Sequence, residues 1–244
     1  MMHAIVTGHS QGLGHEITRA LLEKGVRVMG VSRGSAASLQ ETYPELLQEV
    51  SLDFAAAARV AEWLASDAMT TFFSGCDTAL LVNNAGVVQP IGAPGALAGD
   101  AVARAVQVNV TAPLLFANQF VAATEAIGDR RLAHISSGAG HTPYAGWSTY
   151  CATKAALDMH ARAVALDNIN GLSVVSMAPG IIDTAMQATI RDAEPGQFPK
   201  RDQFRQLKTE GRLASPEQVG HRLAAYCLSS HFGTEPVDDI ARWG

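Results

Sequence analysis

The chain has 244 residues, 48% of them hydrophobic, which suffices for one well-buried α/β domain. Its 18 basic and 23 acidic residues give a net charge of −5 with no basic block, arguing against nucleic acid or an anionic membrane surface as the partner. No apolar stretch approaches ~18 residues. The three cysteines, Cys76, Cys151 and Cys227, are scattered and lack metal-ligand spacing, and the N-terminus carries no charged leader, so a metal-free cytoplasmic protein is expected.

Strands are predicted from short Val/Ile/Leu-rich runs at 3–7, 26–31, 47–52, 78–82, 132–136 and 172–178. Helical patterns fall between and after them at about 13–24, 55–68, 100–126, 148–168 and 216–229. This alternation implies right-handed βαβ crossovers: a doubly wound, mostly parallel sheet with helices on both faces, in a single domain spanning 1–244. Unbroken apolar strands fit a sheet buried on both sides. Asn170-Gly171 can end the 148–168 helix with a left-handed residue, and Ser215-Pro216-Glu217-Gln218 reads as an N-cap with proline at N1 and a capping-box glutamine. Residues 183–212 fit neither pattern and are expected to form a substrate-binding loop or lid.

Gly8, Gly12 and Gly14 follow the first strand and open the first helix. That spacing gives a tight turn, close backbone approach to a diphosphate, and close helix–strand packing. The turn Gly8, His9, Ser10, Gln11, Gly12, Leu13 and Gly14 is thus a candidate dinucleotide cradle at the positive end of a helix dipole. Gly8-His9-Ser10-Gln11-Gly12 also matches a hydrolase nucleophile elbow. That reading is rejected, because only seven residues precede it and no supporting acid and histidine follow in order. Past the second strand, Ser32 and Arg33 stand where a nucleotide lacking a 2′-phosphate would want an acid, which favours NADP(H); a solvated surface Arg33 is the alternative.

Tyr150 and Lys154 lie one helical turn apart and share a face. An ammonium near the phenol, with a cationic nicotinamide, is expected to lower the tyrosine pKa toward the working range. Ser137, just past the 132–136 strand, would present its hydroxyl at the carboxyl edge of the sheet to orient a carbonyl. Tyr-x-x-x-Lys alone arises by chance on many helices; its conjunction with Ser137 and the glycine turn is specific.

With these motifs the chain resembles the short-chain dehydrogenase/reductase family over essentially its whole length: Thr7-Gly8…Gly12-Leu13-Gly14, Asp53-Phe54, Asn83-Asn84-Ala85-Gly86, Ser137, Tyr150, Lys154 and Pro179-Gly180. The resemblance implies a Rossmann-type fold, NADP(H), and hydride transfer to or from a small-molecule carbonyl. It gives Asp53 and Phe54 to the adenine, Asn84, Ala85 and Gly86 to the cofactor cleft, Lys154 also to the nicotinamide ribose, and Pro179 and Gly180 to the nicotinamide. It adds Asn109, holding a relay water, to the catalytic set of Ser137, Tyr150 and Lys154; from chemistry alone Asn109 reads equally as capping a helix kink. The segments Gly146-Trp147…Tyr150-Cys151, Ala155…Met159 and Pro179…Gln187 are similar to sepiapterin reductases and bacterial diketone reductases. By that likeness Ile182, Thr184 and Met186 wrap the cofactor, and Asp238 anchors a pterin ring. Asp239 or a merely solvated acid remain alternatives for Asp238, Trp147 is pocket wall or core, and Cys151 is packing. A pterin side-chain ketone or a vicinal diketone is the implied substrate, and a homodimer or homotetramer the implied assembly. Another short-chain ketoreductase, an alcohol dehydrogenase, or a non-catalytic NADP-binding sensor are the competing functions.

Overall fold

All six predicted strands form, in a computed structural model that describes residues 1–194 and 196–243. They are β1 (Met2–Thr7), β2 (Arg27–Ser32), β3 (Leu47–Ser51), β4 (Thr78–Asn83), β5 (Asp129–Ile135) and β6 (Leu172–Ala178). A seventh, β7 (Val237–Asp239), extends the sheet beside β6. Sequence reading missed it because three residues are too few to show a period. The order is β3-β2-β1-β4-β5-β6-β7, and every pairing is parallel. The chain reverses its direction of travel between β1 and β4, and in such sheets a crevice opens there at the strands' carboxyl ends.

Helices cover both faces. On one side α1 (Gly12–Glu23) packs against α10 (Pro216–Leu228). Gly220 allows the contact, since a Cβ there would press on Glu16 and the Ile17 backbone. Ile17, Leu21, Val219 and Leu223 join Val6, Val28 and Leu80 in that core. On the other side lie α3 (Ala57–Leu64), α4 (Ala68–Phe73), α5 (Gly99–Val106), α6 (Ala112–Ala123) and α7 (Ser148–Leu166). Phe73, Phe116 and Phe120 fill the space between that layer and the strand residues Ile5, Leu81 and Leu132. The short α2 (Ala37–Thr42) links β2 to β3 and was not predicted.

Three predicted elements changed form. The 55–68 helix is shorter, α3 over Ala57–Leu64, ending where the Ser66 hydroxyl donates to the Trp63 carbonyl (2.6 Å), and the separate α4 that follows was not predicted. The 100–126 helix is interrupted by a π-helical turn at Gln107–Thr111, between α5 and α6. Residues 183–212 are not an irregular loop: they carry α8 (Ala185–Arg191) and α9 (Arg201–Thr209), amphipathic pieces too short to register as a pattern. The end of α7 also differs from expectation, since Asn168 takes the left-handed conformation there (φ 49°) and Gly171 (φ 70°) turns the chain into β6. Ser215 does cap α10, accepting from the Gln218 amide with Pro216 at N1. Among the described residues no helix is long and apolar enough to cross a membrane.

Candidate active site

The glycine turn sits at the reversal point of the sheet. Gly8 and Gly12 have φ of 71° and 58°, a region that L side chains disfavour. A Cβ on Gly14 would strike the Gly8 carbonyl and the Asn84 amide, so only glycine lets the first turn of α1 close down on β1. Thr7 fastens the turn to β4: its hydroxyl accepts from the amides of Asn84 (2.9 Å) and Ala85 (3.0 Å), and Asn84 Nδ2 donates to the Thr7 carbonyl (2.9 Å). Among the described residues no side chain caps the N-terminus of α1, and its first turn holds no acid. Its amides therefore face the crevice unopposed, as an anionic group requires. The residues present fit a nucleotide diphosphate.

Around this cradle the other sequence-predicted residues sort by what their side chains touch. Thr184 caps α8 and lies over the turn, 3.7 Å from where a Gly12 Cβ would be. Ile182 bridges to Ala214, while Pro179 and the exposed Gly180 (φ 78°) lead out of β6. Ser32 is buried and donates to the Gly34 carbonyl (2.7 Å); Arg33 is exposed and, among the described residues, makes no salt bridge. Asp53 is exposed and accepts from the Ala55 amide (3.0 Å). Phe54 does not face the crevice; it is buried edge-on to Phe116, at 5.5 Å between centroids. Met186 packs with the aromatic residues described below. His9 turns inward to Glu49 (2.6 Å), so neither it nor Ser10 builds a hydrolytic dyad.

Ser137 stands two residues past β5, where its hydroxyl accepts from the Ala139 amide and caps a short 3₁₀ turn. The Tyr150 phenol lies beside it, close enough for Ser137 to pull the phenol's pKa down. Tyr150 and Lys154 are both buried in α7. The Lys154 ammonium donates to the Ile135 carbonyl (2.7 Å) and lies 5.8 Å from the Tyr150 ring centroid. This corrects the expected sign of the tyrosine shift. Burial pushes the phenol up to about 12, neighbouring Ser137 pulls the other way, and Lys154 is too far away to reverse the outcome. Lys154 itself is brought down to about 8 by burial, opposed by the charge of Asp158.

Asn109 lies in the π turn and clamps Val87 from both sides: its Oδ1 accepts from the Val87 amide (2.8 Å) and its Nδ2 donates to the Val87 carbonyl (2.7 Å). A third bond reaches Thr153 Oγ1 (3.2 Å). A Cβ on Gly86 would lie 3.4 Å from Asn109 Oδ1 and 3.7 Å from Lys154 Nζ, so these groups share one neighbourhood.

Two different surfaces flank Ser137 and Tyr150. One is a cavity of about 420 Å³ lined by Ser136, Ser137, Asp158, Ser176, Asp238 and Arg242. Asp238 borders it with its carboxylate already engaged, accepting from the Asp239 amide, from Arg242 (3.1 Å) and from the Trp243 indole (2.8 Å). Asp239 caps the following 3₁₀ turn. The other surface is aromatic. Trp147 is buried, meets Tyr150 edge-on (5.3 Å), and stacks on Phe198 at 4.4 Å. Phe204 and Tyr144 complete the group, against which Cys151 packs. Phe198 and Phe204 escaped sequence reading because the surrounding segment is polar and carries no motif.

Fold and site together are those of a doubly wound oxidoreductase. The profile of short chain dehydrogenases matches residues 2–195, and the chain belongs to that family. It is similar to a benzil reductase ((S)-benzoin forming) of Bacillus cereus, 35% identical over 249 residues that cover 99% of both chains. A protein of the same description from Bacillus subtilis (strain 168) is 35% identical over 224 residues, covering 90% of each. A short-chain dehydrogenase/reductase structure from Burkholderia vietnamiensis shares 42% identity, with a TM-score of 0.73 over 100% of this chain and 98% of the other.

Proposed function

We propose that this chain is an NADPH-dependent carbonyl reductase acting on a vicinal diketone. The observation that carries the reading is the placement of Ser137 beside the buried Tyr150, with Lys154 buried one turn further on. The nucleotide, held by the Gly8–Gly14 turn, would supply the hydride to the carbonyl carbon. Ser137 donates a hydrogen bond to the carbonyl oxygen and polarises it. Tyr150 gives its proton to that oxygen as negative charge develops there. A phenol that keeps its proton to about 12 is in the form this direction needs. Lys154 would hold the ribose hydroxyls and, with a water at Asn109, would return the proton to Tyr150.

NADPH is favoured over NADH because Arg33 is exposed beside Ser32 and no acid ends β2. A diketone is supported by the two Bacillus relatives and by the aromatic wall beside Tyr150. A pterin is supported less, because Asp238 already accepts three hydrogen bonds within the protein. Residues 183–212, through α8 and α9, act as the lid over this site, which belongs to one NADP-binding domain. Exposed Val106 and Leu115, with Met159 and Leu166 on α7, favour assembly into a homodimer or homotetramer. Free thiols at Cys76, Cys151 and Cys227 suit a reducing cytoplasm.

The test is NADPH consumption with benzil, sepiapterin and simple ketones. Benzil should be reduced at the highest kcat/KM, and absence of turnover with every ketone would remove the reductase reading. Tyr150→Phe should lower turnover by about two orders of magnitude or more while NADPH still binds.

A further inference from the structure

His9 is the first side chain after Gly8, yet it points away from the crevice and is fully buried. Its imidazole lies against β2 at Gly30, where a Cβ would strike the ring. Gly30 pairs in register with Glu49 of β3, so a ring laid across Gly30 reaches the neighbouring strand. There His9 Nε2 meets Glu49 Oε1 at 2.6 Å. A carboxylate can only accept, so the ring proton sits on Nε2. Glu49 takes two more donors, both from the loop after β2: the Ala36 amide (2.6 Å) and the Ser35 hydroxyl (2.6 Å). That loop also carries Arg33 and Gly34. A Cβ on Gly34 would come within 3.3 Å of Ser10 Oγ, so the loop also abuts the glycine turn directly.

Three donors from two separate segments thus converge on one carboxylate. With them, Glu49 ties the loop to the turn and has three of its about four acceptor sites occupied. Without them, the loop would lose its anchor, and a bare carboxylate would lie near Arg33 as a competing partner and as a repellent for any anion there.

We infer that His9 and Glu49 are positioning residues for the 2′-phosphate of NADP(H), holding the Arg33–Ala36 loop in the geometry that presents Arg33. The inference rests on the NADP(H) reading above and goes beyond it, since neither side chain faces the crevice. A plain structural brace would weaken all nucleotides alike, whereas a positioning device acts on the 2′-phosphate alone. Direct binding separates the two, with NADPH and NADH as probes because they differ only by that group. Affinities of the full-length protein are read from nucleotide fluorescence rather than from turnover.

In the wild type NADPH should bind more tightly than NADH. His9→Leu should reduce the NADPH/NADH affinity ratio about tenfold, with NADH affinity changing by less than about twofold. His9→Gln keeps an N–H donor near the Nε2 position and should restore most of the ratio. Should His9→Leu not fold, His9→Asn, too short to reach Glu49, gives the same reading. In an Arg33→Ala background the His9 substitution should change the ratio no further, because the group it positions is gone. An unchanged ratio in a folded His9→Leu or His9→Asn protein overturns the inference, as does equal weakening of both nucleotides. Equal wild-type affinity for the two nucleotides would instead overturn the NADP(H) reading itself, and the inference with it.

Discussion

Tyr150 illustrates how one side chain's chemistry is set by what surrounds it. The four-residue spacing to Lys154 puts both groups on one helix face, and that much follows from the sequence. The sign of the tyrosine shift does not, because it depends on how completely Trp147 and its neighbours exclude water from the phenol. Burial brings Lys154 down to about 8. Its ammonium is intact below that value and is lost above it. If Lys154 has the proposed role, ketone reduction should be flat in pH through neutrality and decline above about 8, as its charge disappears. The kcat/KM profile checks this, and Lys154→Arg, which cannot lose its proton, should shift or abolish the alkaline limb. A limb that stays in place in that variant would assign the titration to another group.

At the scale of elements, the segment over the site depends on one close approach. Gly146 has φ of 84°, and a Cβ there would strike the Gln197 carbonyl. This contact seats Phe198 against Trp147, beside Tyr150. Gly146→Ala should strain the backbone by about 1–2 kcal/mol and push the segment off its seat. The expected outcome is a several-fold rise in KM for the ketone, with NADPH affinity and far-UV circular dichroism nearly unchanged. An unaltered KM would show that the segment does not shape the ketone site. Here the sequence was least informative. Residues 183–212 read as a loop because α8 and α9 are short, and their buried residues, such as Phe204 and Ile190, meet a wall supplied from elsewhere in the chain. The π turn at Asn109 was hidden for a related reason. Its side chain bonds Val87, 22 residues away, and nothing in the local pattern announces that partner.

For the whole molecule, the buried His134 links the core to pH. It lies within the helix-covered sheet, 3.1 Å from His160 and 3.3 Å from Asn83, and burial lowers it from 6.5 to about 3. Between those values the unfolded chain takes up a proton there that the native protein refuses. Stability should therefore fall as pH drops below about 6.5 and level off near 3. Urea midpoints measured across this range check the slope, and a folded His134→Leu protein should show a shallower one. What the sequence determined by itself was whatever is encoded locally: the alternation of apolar runs and helical patterns, the glycine turn, the Tyr150–Lys154 spacing and the cap at Ser215. Periodicity, backbone freedom and helix geometry act over a few residues, so a linear reading recovers them. Tertiary structure alone decided the seventh strand, the inward turn of His9 to Glu49 and the upward shift of the Tyr150 pKa. Each of these depends on solvent exclusion or on a partner brought near by the sheet order, and neither is written in neighbouring residues.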